Sequence, residues 1–202
     1  PPGSKKPDGL GEFRDPDGKI RPHNMTDEQY AKFSKKWDEM MAPGKDKSWF
    51  WSGGHIKDSV VDPATGKPIT ESKYHGSIED PAIGMAKKNG GNTLEGILKD
   101  NGVEMPKFSD NHPNGEKVWK DASKALAHNA EGDVHIALPN TPGKSSGWAG
   151  QGDELASRRP NNVFDMDEFP ILRHNPKVDK VIAHDTDYPD APPVVIWDRT
   201  TR

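Results

Sequence analysis

The chain has 202 residues, a mass of 22.3 kDa and a formal net charge of −4, a length that predicts one domain or two small lobes. The mild acidity and the lack of Lys and Arg runs weigh against a nucleic-acid partner, and no apolar stretch is long enough to predict a membrane span. The absence of cysteine excludes disulfides, thiolate nucleophiles and Cys-based zinc sites.

Residues 1–24 are rich in Pro, Gly, Lys and Asp and contain turn dipeptides such as Asp17-Gly18. This composition predicts a linker or an irregular arm in which little is buried. Because the chain begins with Pro1 rather than Met, we expect a fragment or a processed form, in which no signal peptide is visible. Only four Leu, Ile, Val and Phe residues precede residue 48, so the core is expected mainly in the second half.

The next part of the chain predicts helices. Thr26 and Gln29 have the spacing of a capping box, and apolar residues at helical spacing then predict one amphipathic helix up to Pro43. A shorter helix is expected with Pro81 as its first helical residue and with Asn89 and two glycines at its end. The first half therefore has a helical character.

A third helix is expected over 94–100, capped by Thr93, and a longer one over 115–131. Beyond residue 132 the pattern changes to short apolar runs bounded by Pro, Asp and Asn, which are typical of buried strands. The predicted strands are 134–138, part of 163–172, 181–184 and 194–197.

These elements predict an α/β fold. A mostly helical N-terminal lobe over 25–112 is expected to pack on a C-terminal lobe over 113–202, which holds a small, largely parallel sheet flanked by helices. The two lobes together would form one catalytic domain.

Four segments combine aromatic and acidic residues, and each has a structural explanation when taken alone. Trp51 and Trp119 are of a type that usually packs in a core. Glu95 follows a helix cap, where a carboxylate stabilises the helix dipole. Glu168 is one of 32 acidic residues, most of which are expected to be solvated.

The order of these segments resembles the ADP-ribosyl cyclase family of NAD glycohydrolases. That family has an aromatic-Trp-Ser segment, a Thr-Leu-Glu helix start, a helix with Phe/Val-Trp-Lys-x-x-Ser, and a later acidic strand that bears the catalytic Glu. The counterparts are Phe50-Trp51-Ser52, Thr93-Leu94-Glu95, the segment Val118 to Ser123, and Asp167-Glu168-Phe169. The resemblance covers about two thirds of the chain.

The resemblance implies a role for each matching residue. Glu168 would be the catalytic carboxylate, and substrate would be bound by Trp51 and Trp119 at the nicotinamide, Glu95 at its carboxamide, and Ser52 and Ser123. An Arg of the family is replaced here by Gly53 and an Asp by Gly96. The lost Arg leaves phosphate binding open, and Arg158 or Arg159 is the candidate by position.

The predicted activity is cleavage of the nicotinamide–ribose bond of NAD, which yields nicotinamide and ADP-ribose, with cyclisation as a further outcome. The departing ring becomes neutral, so the reaction needs a fixed carboxylate beside the ribose and no proton donor. NAD is the substrate, with no further cofactor and no metal. The cysteine-free lobe and the missing Met suggest an effector or toxin domain, delivered to a target-cell cytosol and paired with an immunity protein.

Two other functions remain open. A metal-dependent nuclease toxin would use His135, His174 or His184 with nearby acids, although the eight histidines lack the i, i+4 pairs of a helical metal site. A binding module without turnover would use an aromatic platform. That platform would consist of Trp49, Phe50, Trp51 and Trp148.

Overall fold

The structure is a computed structural model that describes residues 9–52, 54–56, 64, 74–107, 110–138, 167–186 and 189–201. Its helices are α1 (Asp27–Ser34), α2 (Trp37–Met40), α3 (Glu79–Lys88), α4 (Leu94–Asp100), α5 (Gly115–His128) and α6 (Phe169–His174). Its strands are β1 (Ser48–Trp51), β2 (Gly54–Ile56), β3 (Tyr74–Ser77), β4 (Asn92–Thr93), β5 (Gly132–Leu138), β6 (Val178–Asp185) and β7 (Val194–Asp198). None of the described helices is long and apolar enough to cross a membrane.

A five-stranded sheet in the order β4-β1-β5-β6-β7 forms the centre of the fold. The pairs among β4, β1, β5 and β6 are parallel, and β7 runs antiparallel to β6. This confirms the prediction of an α/β fold with a small, largely parallel sheet. The sheet draws β1 and β4 from before residue 113 and the other strands from after it, while the division into two lobes stays a prediction.

The start of the first predicted helix is confirmed, but its length is wrong. The Thr26 hydroxyl accepts a hydrogen bond from the Gln29 backbone (3.2 Å), and the Gln29 side chain accepts one from the Thr26 backbone (3.0 Å). The helix ends at Ser34 and a separate turn begins at Trp37. The Lys36 N–H bonds three residues back to Phe33 instead of four, which tightens the chain and interrupts the helix.

The described residues among the first 24 are mostly exposed or half-buried, as expected, but the structure buries a few of them. Leu10 is 5% exposed and Ile20 is completely buried. Ile20 forms a parallel bridge with Val103, in which its N–H donates to the Gly102 carbonyl. The few apolar residues of this irregular segment thus fasten it to the body of the protein.

The predicted strand in 163–172 is wrong where the structure describes it, because α6 covers Phe169–His174. Pro170 lies in the first turn of this helix, where a missing N–H is tolerated. Inside a strand the same proline would remove a ladder hydrogen bond. The long helix over 115–131 ends earlier than predicted, at His128.

The hydrophobic core lies mainly on one face of the sheet. Phe50, Ile136 and Val181 from β1, β5 and β6 pack there with the apolar side of α5. Before residue 48 the core also contains buried residues that a count of Leu, Ile, Val and Phe leaves out; these are Tyr30, Trp37, Met40 and Met41. The other face carries Trp49, His135 and His184, as strand alternation requires.

Candidate active site

The candidate site begins at the carboxyl edge of the parallel strands, where ligands bind in open α/β sheets. Trp51 is the last residue of β1, and Glu95 is the second residue of α4, which directly follows β4. Because β1 and β4 pair in parallel, both residues come to the same edge. The indole Nε1 of Trp51 donates a hydrogen bond of 2.7 Å to Oε2 of Glu95.

The start of α4 fixes the position of Glu95. The Thr93 hydroxyl accepts a hydrogen bond of 3.0 Å from the Gly96 N–H, which confirms the predicted cap. A Cβ at position 96 would collide with the side-chain oxygen of Asn92, and that oxygen also accepts from the Thr93 N–H. A side chain at position 96 would therefore require Asn92 to move and to give up its hydrogen bond with Thr93.

Glu168 lies immediately before α6 and is 6% exposed. Burial, with smaller contributions from the negative charges of Glu95 and Asp167, raises the pKa of Glu168 to about 8, and the Ser123 hydroxyl opposes this shift. The pKa of Glu95 is raised as well, first by burial, while the hydrogen bond from Trp51 lowers it. Burial therefore disfavours the charged form of both carboxyl groups, the buried Glu168 and the half-buried Glu95.

Helix α5 brings Trp119 and Ser123 to one of its faces, since residues four apart lie above one another. The Trp119 indole Nε1 donates a hydrogen bond of 2.7 Å to the backbone carbonyl of Pro106. The Ser123 hydroxyl is buried beside Glu168, without a fully aligned hydrogen bond to any described residue. It can therefore turn toward a carboxylate or a ligand.

The remaining predicted residues are placed only in part. Ser52 is buried, and its N–H extends the β1–β5 ladder by donating to the Ala137 carbonyl at 3.3 Å. Arg158 and Arg159, the candidates for phosphate binding, and Trp148 of the aromatic platform lie outside the described residues. The structure thus brings Trp51, Glu95, Ser123 and Glu168 into one linked group.

The histidines form a pair that the sequence analysis missed. His135 Nδ1 and His184 Nε2 are 2.9 Å apart, and the His135 ring stacks on Trp49 with ring centres 4.6 Å apart. His174 lies exposed on α6. Within the described part of the chain no three His, Asp or Glu side chains are arranged to hold a metal ion. The sequence did contain one indication of this pair. His135 and His184 each lie in a predicted strand, at positions whose side chains can face the same side of the sheet.

The anchor of Trp119 was also missed. Its acceptor is the Pro106 main-chain carbonyl, and a backbone acceptor leaves no trace in residue type. Only the folded chain shows that the two indoles are held in different ways.

Comparison with known proteins gives matches among solved structures. No family model and no curated protein matches the chain. An Aplysia cyclase complexed with substrate NGD and product cGDPR is 20% identical, with a TM-score of 0.45, over 82% of this chain and 58% of its own. An ADP ribosyl cyclase is 20% identical, with a TM-score of 0.47, over 86% of this chain and 59% of its own.

A CD38 structure is 17% identical, with a TM-score of 0.46, over 91% of this chain and 68% of its own. The chain spans less than two thirds of the length of the two cyclases.

Proposed function

We propose that the protein is an NAD glycohydrolase in which Glu168 is the catalytic carboxylate. The observation that carries this proposal is the burial of Glu168 next to Glu95, whose carboxylate holds the indole of Trp51. Two acidic side chains at least partly shielded from solvent beside an aromatic ring suit a flat cation that loses its positive charge during the reaction. The resemblance of the four motifs to NAD glycohydrolases supports nicotinamide as that cation.

The bond that breaks joins the nicotinamide nitrogen to C1′ of the ribose. Its electron pair leaves with the ring, so nicotinamide departs neutral and positive charge develops on the sugar. A water molecule then bonds to C1′ and releases a proton, which gives ADP-ribose. Glu168 would stabilise the sugar cation, either electrostatically or by a transient covalent bond.

Burial determines at which stage Glu168 becomes ionised. The carboxyl group of Glu168 is mainly neutral at pH 7 in the free protein, because its pKa is raised to about 8. A bound pyridinium cation lowers that pKa, since an opposite charge favours the ionised form. Binding of the cationic ring would therefore create the carboxylate that the reaction needs.

The two indoles would bind and orient the ring. An aromatic face attracts a cation by about 0.5–2 kcal/mol, and this attraction weakens once the ring is neutral. We therefore expect Trp119→Ala to raise KM for NAD. Glu168→Gln should abolish turnover and keep most of the affinity for NAD, because the side chain retains its shape and loses only its charge.

The decisive experiment incubates the purified protein with NAD in the presence of a metal chelator. Chromatography then separates nicotinamide, ADP-ribose and cyclic ADP-ribose, and the Glu168→Gln variant serves as the matched control. Nicotinamide release by the wild type alone supports the proposal, and the ratio of the other two products measures cyclisation.

Two results would contradict it. Intact NAD together with metal-dependent cleavage of DNA or RNA would favour the nuclease. NAD binding without turnover, equal in wild type and Glu168→Gln, would favour a binding module.

A further inference from the structure

The two tryptophans that the motif resemblance assigns to substrate binding are anchored by different kinds of acceptor. Trp119 donates to the Pro106 carbonyl, which is part of the main chain and carries no ionisable group. Trp51 donates over the same distance, 2.7 Å, to the side chain of Glu95. One indole therefore has a permanent anchor, and the other depends on a single carboxyl group.

We propose that Glu95 is a positioning residue that acts through Trp51, holding its indole in place rather than contacting the reacting atoms. This inference rests on the proposed function, and it assigns Glu95 a role other than the carboxamide contact that the motif resemblance implies. Among the described side chains, Trp51 is the one that donates a hydrogen bond to the Glu95 carboxylate.

The rest of α4 keeps Glu95 in register with Trp51. Its backbone follows directly from Thr93, which pairs with Trp49 in the neighbouring strand. The side chain is half-buried, so water competes less for its oxygen than at a fully exposed site. A charge-assisted hydrogen bond of this length in such surroundings strongly restrains rotation of the indole.

Charged groups on three elements surround this anchor. The negative charges of Glu79 on α3 and Glu168 before α6 disfavour the ionised form of Glu95. The positive charge of Lys99, which lies on α4 like Glu95, favours it. The bond to Trp51 also favours the ionised form of Glu95. The position of the Trp51 N–H resonance should therefore depend on the protonation of Glu95, whereas that of Trp119 should not.

The test is nitrogen-15 NMR of the indole N–H groups in protein labelled at its six tryptophans. Trp51→Phe and Trp119→Phe identify the two signals by their loss. We expect the Trp51 signal to move with pH in the wild type and to stop moving in Glu95→Gln, which keeps an acceptor oxygen. In Glu95→Ala the signal should shift to the position of an indole without this bond.

Glu79→Gln is the matched control, because it removes a neighbouring charge and leaves the hydrogen bond in place. The Trp51 signal should still move with pH in this variant. The other five indole signals report whether each variant is folded. Should Glu95→Ala not fold, the comparison of the wild type with Glu95→Gln still decides the matter.

Kinetics give a second reading through a double-mutant cycle. We expect Glu95→Ala to raise KM for NAD about tenfold, as for loss of a charged hydrogen bond. In the Trp51→Phe background it should add less than about twofold, because the partner is already gone. Glu95→Gln should recover most of the KM lost in Glu95→Ala.

A Trp51 signal that is the same in Glu95→Ala and wild type would overturn the positioning role. So would full additivity of the two substitutions in KM. If NAD is not cleaved at all, the proposed function fails, while the NMR measurement still tests the contact between Glu95 and Trp51.

Discussion

His135 Nδ1 and His184 Nε2 share a hydrogen bond of 2.9 Å across β5 and β6, beside the buried indole of Trp49. One ring must donate and the other accept, so the bond requires that at least one of the two rings be neutral. Burial, and for His184 also the neighbouring His135, lowers both pKa values, that of His184 to about 4; Asp46 and Asp133 partly oppose the shift at His135.

This pair predicts a loss of stability in acid. A group whose folded pKa lies below its unfolded value of 6.5 stabilises the protein above pH 6.5, and this contribution is lost as the pH falls through about 4. We expect the free energy of unfolding, measured with urea at pH 7, 5 and 4, to fall less steeply in His184→Gln than in wild type. The exposed His174→Gln is the control, and identical slopes in all three proteins would refute the role of the pair.

The raised pKa of Glu168 predicts that activity increases with pH. The working form is the carboxylate, so kcat/KM for NAD, which reports the free enzyme, should rise tenfold per pH unit and level off near pH 8. The pH at the midpoint of the kcat profile should be lower than that of the kcat/KM profile, because the bound cation favours ionisation of Glu168. Since Glu95 and Glu168 interact, the measured values belong to the pair. Steady-state rates from pH 5.5 to 9.5 check this, and a flat kcat/KM profile would contradict it.

The same residue predicts a stability effect of opposite sign. The folded pKa of about 8 lies above the ordinary value of 4.5, so the contribution to stability is present below pH 4.5 and is lost as the pH rises through 8. Glu168→Gln cannot ionise, so its melting temperature at pH 9 should exceed that of wild type by roughly 5 °C. The difference should disappear near pH 4.5. The exposed Glu131→Gln should show no such trend, and an equal shift in both variants would argue against burial as the cause.

Gly91 predicts a packing constraint next to Trp49. A Cβ at this position would collide with the indole and lie 2.7 Å from the Lys47 carbonyl oxygen. Trp49 is completely buried and cannot move aside, so Gly91→Ala should lower the free energy of unfolding by about 1–3 kcal/mol.

Gly84 is the matched control for this substitution, because it lies exposed on α3 with nothing within 4 Å of an added Cβ. Gly84→Ala should raise the free energy of unfolding by roughly 0.5–1 kcal/mol. Denaturation curves of both variants provide the measurement, and two shifts of the same sign would show that local space does not decide the outcome.

Local signals in the sequence located several elements well. The cap at Thr93 and the capping box at Thr26 were predicted because a side-chain hydroxyl and the helix that it caps are close in sequence. The apolar run before Asn175 predicts a strand but forms a helix, because a run of so few residues shows no clear periodicity. For the same reason, the sequence does not predict the strand that residues 48–51 form.

The site could be predicted residue by residue but not as an arrangement. The motifs singled out Trp51, Glu95, Ser123 and Glu168, yet the order of strands that brings them together depends on contacts between distant segments. The bond from Trp51 to Glu95 spans 44 positions, and no local pattern encodes it. Burial of Glu168, which raises the pKa of its carboxyl group, likewise arises only in the assembled fold.

Strand β1 lies between β4 and β5, so the parts of the chain before and after residue 113 supply adjacent strands and depend on each other during folding. A protein cut at residue 113 would lose β1, the neighbour of β5 on one side, and would leave the backbone donors and acceptors at His135–Ala137 without their partners there. Such an edge invites self-association. Separate fragments should therefore aggregate alone and regain solubility only when expressed together, as in a split reporter.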